Sequence, residues 1–275
     1  MVGRLLLAVA ATAAVFGGGT AYAASGAAVD PQVSSNWSGY AIVAPDSAAA
    51  PLSFTDVTGS WVQPKATCTV GRSSSSAFWV GLGGYDESSQ SLEQLGTGAD
   101  CDGNSKVPTS YAWWELVPAS SVRIPLKIAA GDTVTAAVLV NGPTITFSLR
   151  DVTRGTRFSK ILTTGQQLDT GSAEWIAEAP SQCSLRGRCR VVPLTNFRTV
   201  TFTKAAAIAN GHPGTILDPA WTPSAIELIT GGADNGFFQD LFTGETGTGA
   251  VPGDVTADGR GFSVSFARNL SSPTG

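Results

Sequence analysis

The chain has 275 residues, 17 Lys and Arg against 21 Asp and Glu, a formal charge of −4 and one histidine. A mildly acidic chain without a Lys/Arg cluster has no electrostatic footprint for nucleic acid, and a single histidine leaves little room for imidazole chemistry. Charged residues are 14% of the chain, against about 25% in ordinary globular domains; few carboxylate pairs are then lost on protonation, which suits an acidic medium.

The first segment reads as a secretory leader. Arg4 is its positive end, Leu5 to Phe16 its apolar stretch, and Ala21-Tyr22-Ala23 a small-x-small site, with cleavage near Ala23/Ala24. Residues 1–24 are therefore expected to be a signal peptide and 25–33 a short N-terminal segment. Residues 34–275 then form a single domain. No second long apolar run follows, so a secreted, extracellular monomer without a membrane partner is expected.

Beyond the leader, strand signals dominate. Tyr40 to Ala44, Gly59 to Val62, Ala77 to Gly81, Tyr111 to Val117 and Thr133 to Val140 are short β-branched or aromatic runs. So are Thr144 to Leu149, Ala173 to Glu178, Thr199 to Phe202, Ala225 to Ile229 and Phe262 to Phe266. Gly, Pro, Asn, Asp and Ser separate them, and Asn141-Gly142 reads as a tight hairpin turn. Thr243 to Gly261, rich in Gly and Thr, reads as a long loop. No run sustains a 3.6-residue period. Many short strands joined by turns predict an all-β fold of two face-packed antiparallel sheets.

The four cysteines, in an exported chain, suggest two disulfides. Cys183 and Cys189 enclose a small loop, which leaves Cys68 for Cys101. Zinc is disfavoured: the spacings do not make a ribbon and His212 has no partner ligand nearby.

Little remains for catalysis except carboxylates. His212 sits in a turn-like Asn210-Gly211-His212-Pro213-Gly214, and no Gly-x-Ser-x-Gly elbow exists. In Ser172-Ala173-Glu174-Trp175-Ile176-Ala177-Glu178, period-two alternation puts Glu174, Ile176 and Glu178 on one face and Trp175 and Ala177 on the other. The two carboxylates are then roughly 13 Å apart along the strand, too far to share a proton. Leu92-Glu93-Gln94-Leu95-Gly96 adds a side-chain amide ahead of a glycine-containing turn. Tyr111-Ala112-Trp113-Trp114-Glu115 sets a third glutamate beside two tryptophans. Some of the seven tryptophans are expected to line a groove rather than fill the core.

In order and spacing, Asn36-Trp37, Trp79-Val80-Gly81, Glu93-Gln94-Leu95-Gly96, Tyr111-Ala112-Trp113-Trp114-Glu115 and Ala173-Glu174-Trp175-Ile176-Ala177-Glu178 resemble the glutamic peptidases, or eqolisins. The resemblance runs from about Asn36 to the C-terminus. It departs from fungal members at Gly83 and Tyr111, where those carry aspartates. It implies a lectin-like two-sheet sandwich, jelly-roll in type, with the site on its concave face and polypeptide as substrate. It implies that Gln94 and Glu178 are the catalytic pair and that Trp37, Trp79 and Glu115 line the site, with Glu174 a groove or supporting residue. Glu178 would activate a water as general base, and the Gln94 amide would stabilise the oxyanion. No metal or organic cofactor is called for.

Two other classes remain open on the residues. A β-jelly-roll glycoside hydrolase would pair Glu115 with Glu178, about 5 to 5.5 Å apart if retaining. A non-catalytic carbohydrate-binding module would use the tryptophans alone. Gln94 discriminates, since neither of these needs it.

Overall fold

The computed structural model describes residues 31–86, 88–183, 189–230 and 247–270; the expected signal peptide lies outside the described residues. In chain order the strands are β1 (Gln32–Ser34), β2 (Trp37–Val43), β3 (Phe54–Val62), β4 (Ser73–Leu82), β5 (Glu93–Asp102), β6 (Thr109–Leu116), β7 (Val122–Ile124), β8 (Thr133–Asn141) and β9 (Thr144–Asp151). They continue with β10 (Thr156–Thr163), β11 (Ser172–Glu178), β12 (Ser181–Cys183), β13 (Cys189–Val191), β14 (Thr199–Ala209), β15 (His212–Gly214), β16 (Thr222–Thr230), β17 (Gly247–Pro252) and β18 (Phe262–Leu270). Each strand run expected from sequence falls in one of these, save that Ala44 and Val117 lie one residue past β2 and β6, and among the described residues there is no helix.

Hydrogen bonding follows one path, β10-β9-β8-β3-β14-β18-β17-β16-β2-β11-β4-β5-β6-β7, with a small β12–β13 pair apart from it. The sandwich is this long sheet doubled over, so that β3 and β8 face β4, β5 and β11. Pairing is antiparallel except where β1 joins β16 in parallel, Gln32 opposite Ile226. Of the Gly- and Thr-rich stretch expected to be a loop, 243–246 lie outside the described residues and 253–261 carry no strand, but 247–252 form β17, whose Gly249 packs so closely on Leu228 that a Cβ would stand 1.8 Å from its carbonyl oxygen. Backbone pairing there overrides a composition that reads as coil.

Two tryptophans clamp the layers. Trp175 on β11 is fully buried and its indole N–H donates to the Thr58 carbonyl on β3 at 2.7 Å. Trp61 on β3 donates to Thr97 Oγ1 on β5 at 2.9 Å. Each buried indole removes about 150–250 Å² from water, worth about 4–6 kcal/mol before entropy, and satisfies its one donor across the core.

The expected hairpin joins β8 to β9, with Asn141 opposite Thr144, so Gly142 and Pro143 are its central residues. Gly142 has φ 57°, the first position of a type II′ turn. Cys68 and Cys101 form a disulfide. Cys189 is disulfide-bonded as well, and its register partner is Cys183, whose side chain lies outside the described residues.

Candidate active site

Five adjacent strands, β2, β11, β4, β5 and β6, present one face in three rows. Trp37, Glu178, Ala77, Gly98 and Tyr111 form the first; Gly39, Ile176, Trp79, Gly96 and Trp113 the second; Ala41, Glu174, Gly81, Gln94 and Glu115 the third. The expected alternation holds: Ile176 packs with Trp79, Trp113 and Ala41 under the cleft, while Trp175 and Ala177 enter the interlayer core. Glycine does not make a turn after Gln94, as the sequence suggested. Gly96 and Gly98 lie inside β5 because close neighbours forbid a side chain there. A Cβ on Gly96 would stand 2.0 Å from the Phe78 carbonyl oxygen, and one on Gly98 2.4 Å from the Tyr111 ring.

Glu178 ends β11, half-buried between tryptophans. Its Oε2 accepts the Trp79 indole N–H at 2.7 Å, and Oε1 accepts Asn36 Nδ2 at 3.3 Å. Trp37 packs edge-on against Trp79 with ring centroids 5.0 Å apart. Desolvation pushes the Glu178 carboxyl up to about 7, helped by the negative field of Glu115 and opposed first by the Trp79 bond. Such a group holds a proton or gives it up near neutrality.

Gln94 sits two strands across and four residues along from Glu178, on the order of 16 Å between backbones for a flat sheet. The Trp79 indole lies on this diagonal, its N–H at Glu178 and its Cζ3 edge 2.9 Å from where a Gly81 Cβ would be. Gln94 Nε2 donates to Glu115 Oε2 at 2.8 Å, not to Glu178. The Glu115 carboxyl is raised by burial, against which the Gln94 bond works. Two buried polar atoms on this face have no protein partner: Gln94 Oε1, an acceptor, and Trp113 Nε1, a donor. Both atoms are enclosed by the surrounding side chains, each with one unused hydrogen-bonding site.

Two residues expected to touch substrate do not reach the surface. Trp79 is fully buried and acts on Glu178 from beneath. Glu174 is also fully buried; the small Gly81 and Ala41 flanking it let its neighbours close over it. Trp37 and Glu115 are half-buried and stay accessible. His212 is exposed beside Asp218, its Nε2 3.1 Å from Oδ1, on a strand paired to β14 in the other layer. Among the described residues no three His, Cys, Asp or Glu side chains converge as a metal site.

Sequence reasoning passed over Asn36, Glu93, Trp113 and Asp169. Asn36 was within reach, because it precedes Trp37, the register partner of Glu178. Trp113 follows from period two, since it alternates onto the face of Glu115. Asp169 carries no local signal.

The model of the peptidase A4 family matches residues 35–230. Scytalido-glutamic peptidase, solved with a peptide-based transition-state analogue, is similar at a TM-score of 0.64 and 24% identity, over 85% of this chain and 98% of that one. SCP-B of the eqolisin family, solved with the tripeptide Ala-Ile-His, gives 0.61 and 22% over 85% and 98%. Aspergilloglutamic peptidase from Aspergillus niger gives 0.50 and 21% over 70% and 99%. No curated protein matches the sequence.

Proposed function

The chain belongs to the peptidase A4 family and is a glutamic endopeptidase, and we propose that Glu178 and Gln94 carry its reaction. The observation behind this is the pairing of a carboxyl raised to about 7 with a buried amide whose Oε1 has no protein partner, on one face of the sheet. Ionised Glu178 takes a proton from water as it attacks the scissile carbonyl, then returns it to the leaving nitrogen. With backbones on the order of 16 Å apart, Gln94 does not share that water with Glu178; its amide N–H, once it leaves Glu115, steadies the tetrahedral oxyanion on the far side of the scissile carbon. Glu115, which accepts the Gln94 N–H at 2.8 Å, holds the amide in register until substrate competes for it.

The working range we propose is near neutral. Glu178 is an acid whose folded value is raised, so its base form is lost as pH falls through about 7. Activity on the acid side then rests on the ionised fraction, falling about tenfold per pH unit. Export, with the leader removed, fits the Cys68–Cys101 bond, which persists in oxidising compartments.

Digestion of a denatured protein across pH, with pepstatin present, tests this reading. Glu178→Gln should abolish cleavage, because an amide cannot take the water's proton. Gln94→Ala should lower kcat about a hundred- to a thousandfold, the usual loss of an oxyanion donor. Near-full activity in Gln94→Ala, with activity destroyed in Glu115→Gln, would move the site to another pair of groups.

A further inference from the structure

Next to Gln94 lies a group of buried carboxyls that the proposed reaction does not use. Glu93 opens β5 and Glu174 sits in β11, both with no exposed surface. Asp169 precedes β11 and its charge bears on both. Asp169 Oδ2 accepts the Gly84 N–H at 3.0 Å and the Ser89 hydroxyl, and Oδ1 accepts the Gly171 N–H at 2.8 Å. The Asp169 N–H donates to Ser91 Oγ at 2.7 Å, and that hydroxyl donates to Glu93 Oε1 at 2.7 Å. An unbroken chain therefore runs Gly84, Asp169, Ser91, Glu93, and ends one residue before Gln94. Glu93 Oε2 and both Glu174 oxygens have no partner, the Ser172 hydroxyl lying near but out of bonding geometry.

No cation balances this group. Residues 37–43, 73–105, 107–122 and 164–178 contain no Lys, Arg or His. The other titratable carboxyls on the surrounding elements include Asp86 beyond Gly84, Asp100 and Asp102 at the far end of β5, Glu115 on β6, Glu178 on β11 and Glu227 on β16. Arg150 and Lys160 on the facing layer are exposed. The ion pairs among the described residues, Arg123–Asp100, Arg154 with Asp132 and Asp151, and His212–Asp218, all lie elsewhere. Three uncompensated negative charges in a dry site are prohibitive. Asp169 accepts three hydrogen bonds, from the Gly84 and Gly171 N–H groups and the Ser89 hydroxyl, whereas Glu93 Oε2 and both Glu174 oxygens accept none.

We propose that Glu93 and Glu174 are proton-holding positioning residues: while both are neutral, the Gly84–Asp169–Ser91–Glu93 chain fixes the start of β5, and with it Gln94, against β11. Loss of either proton sets a further negative charge in a dry site beside Asp169; the Ser91 bond favours ionised Glu93, so it is this desolvation and repulsion that parts the strands and opens the chain. Burial pushes Glu93 up to about 8 and Glu174 well above the usual carboxylate range. For acids raised in the folded state, the native arrangement is fully held below the ordinary value. It loses ground as pH climbs and is released through the raised one. The enzyme then carries its own alkaline limit, separate from the Glu178 limb. The effect on rate rests on the Gln94 reading; the opening itself does not.

Hydrogen exchange of the Glu178→Gln protein, which cannot digest itself under the proposed chemistry, reads the opening directly. Protection of the Gly83, Gly84 and Asp169 amides should collapse near the raised Glu93 value. Adding Glu93→Gln or Glu174→Gln should move that collapse upward by about one pH unit or more. In the catalytically competent protein, Glu93→Gln should shift the alkaline limb of kcat/KM by the same interval and leave the acid limb in place. An infrared titration of the unaltered protein supplies a second measurement: buried protonated carboxyls should persist at neutral pH and disappear with the same midpoint. An unmoved collapse in both variants, or no protonated carboxyl at neutral pH, overturns the proposal. A shifted collapse with an active Gln94→Ala enzyme would keep the latch and discard the catalytic assignment of Gln94.

Discussion

Removing one hydrogen from the Trp79 indole should move the acid limb of the reaction. Trp79→Phe deletes the donor that stands 2.7 Å from Glu178 Oε2 and is the largest influence holding that carboxyl down against desolvation. A hydrogen bond to a charged group is worth about 1.5–3 kcal/mol, which at 1.36 kcal/mol per unit raises Glu178 by about one to two units. With Glu178 acting as a base, kcat/KM at a fixed acidic pH should then fall about ten- to a hundredfold. The deficit should shrink as pH approaches neutrality. Stability also suffers, because Trp79 is fully buried against Trp37 and the smaller ring leaves a cavity costing about 1–3 kcal/mol. Rates on a quenched fluorescent peptide, paired with thermal melts, separate the two effects, and the carboxyl ¹³C shift of Glu178 reads its titration directly. A variant that melts lower yet keeps an unmoved Glu178 titration would refute the role given to the indole.

Other outcomes follow from the same geometry. Gly96→Ala should destabilise by about 3 kcal/mol or more, since its Cβ would meet the Phe78 carbonyl at 2.0 Å and Trp79 Cβ at 2.7 Å; denaturant midpoints check this, and a neutral result would mean β4 and β5 can part beneath the cleft at no cost. Cys68→Ser with Cys101→Ser opens a bond of sequence separation 33, for which loop entropy gives about 4 kcal/mol, measured by the same melts. Trp113→Phe removes a buried N–H that has no protein partner, so its cost in thermal melts should be that of the smaller ring alone, with no penalty for the lost donor.

The face of the site was readable one strand at a time. Period two alone assigns Glu178 and Ile176 to one side of β11 and Trp175 to the other, because the pleat of a strand is a local property. The same holds for Trp113 and Glu115 on β6. What lies across from a strand is not local. Gln94 meets Glu115 rather than Glu178 because of how β5 registers on β6. Gly96 reads as a turn residue in isolation, yet it and Gly98 are strand residues kept small by Phe78 and Tyr111.

The sequence by itself determined the fold class, the family and the face of its strand on which Glu178 stands, since these depend on residue type and short-range spacing. Only the tertiary structure decided burial, and burial sets the chemistry. It takes Trp79 and Glu174 out of substrate's reach and lifts Glu178 toward neutrality. It also assembles Glu93, Glu174 and Asp169 from separate stretches into a group with no cation. A carboxyl's proton affinity depends on the solvent and charges around it, and those are supplied by strands far apart in the chain.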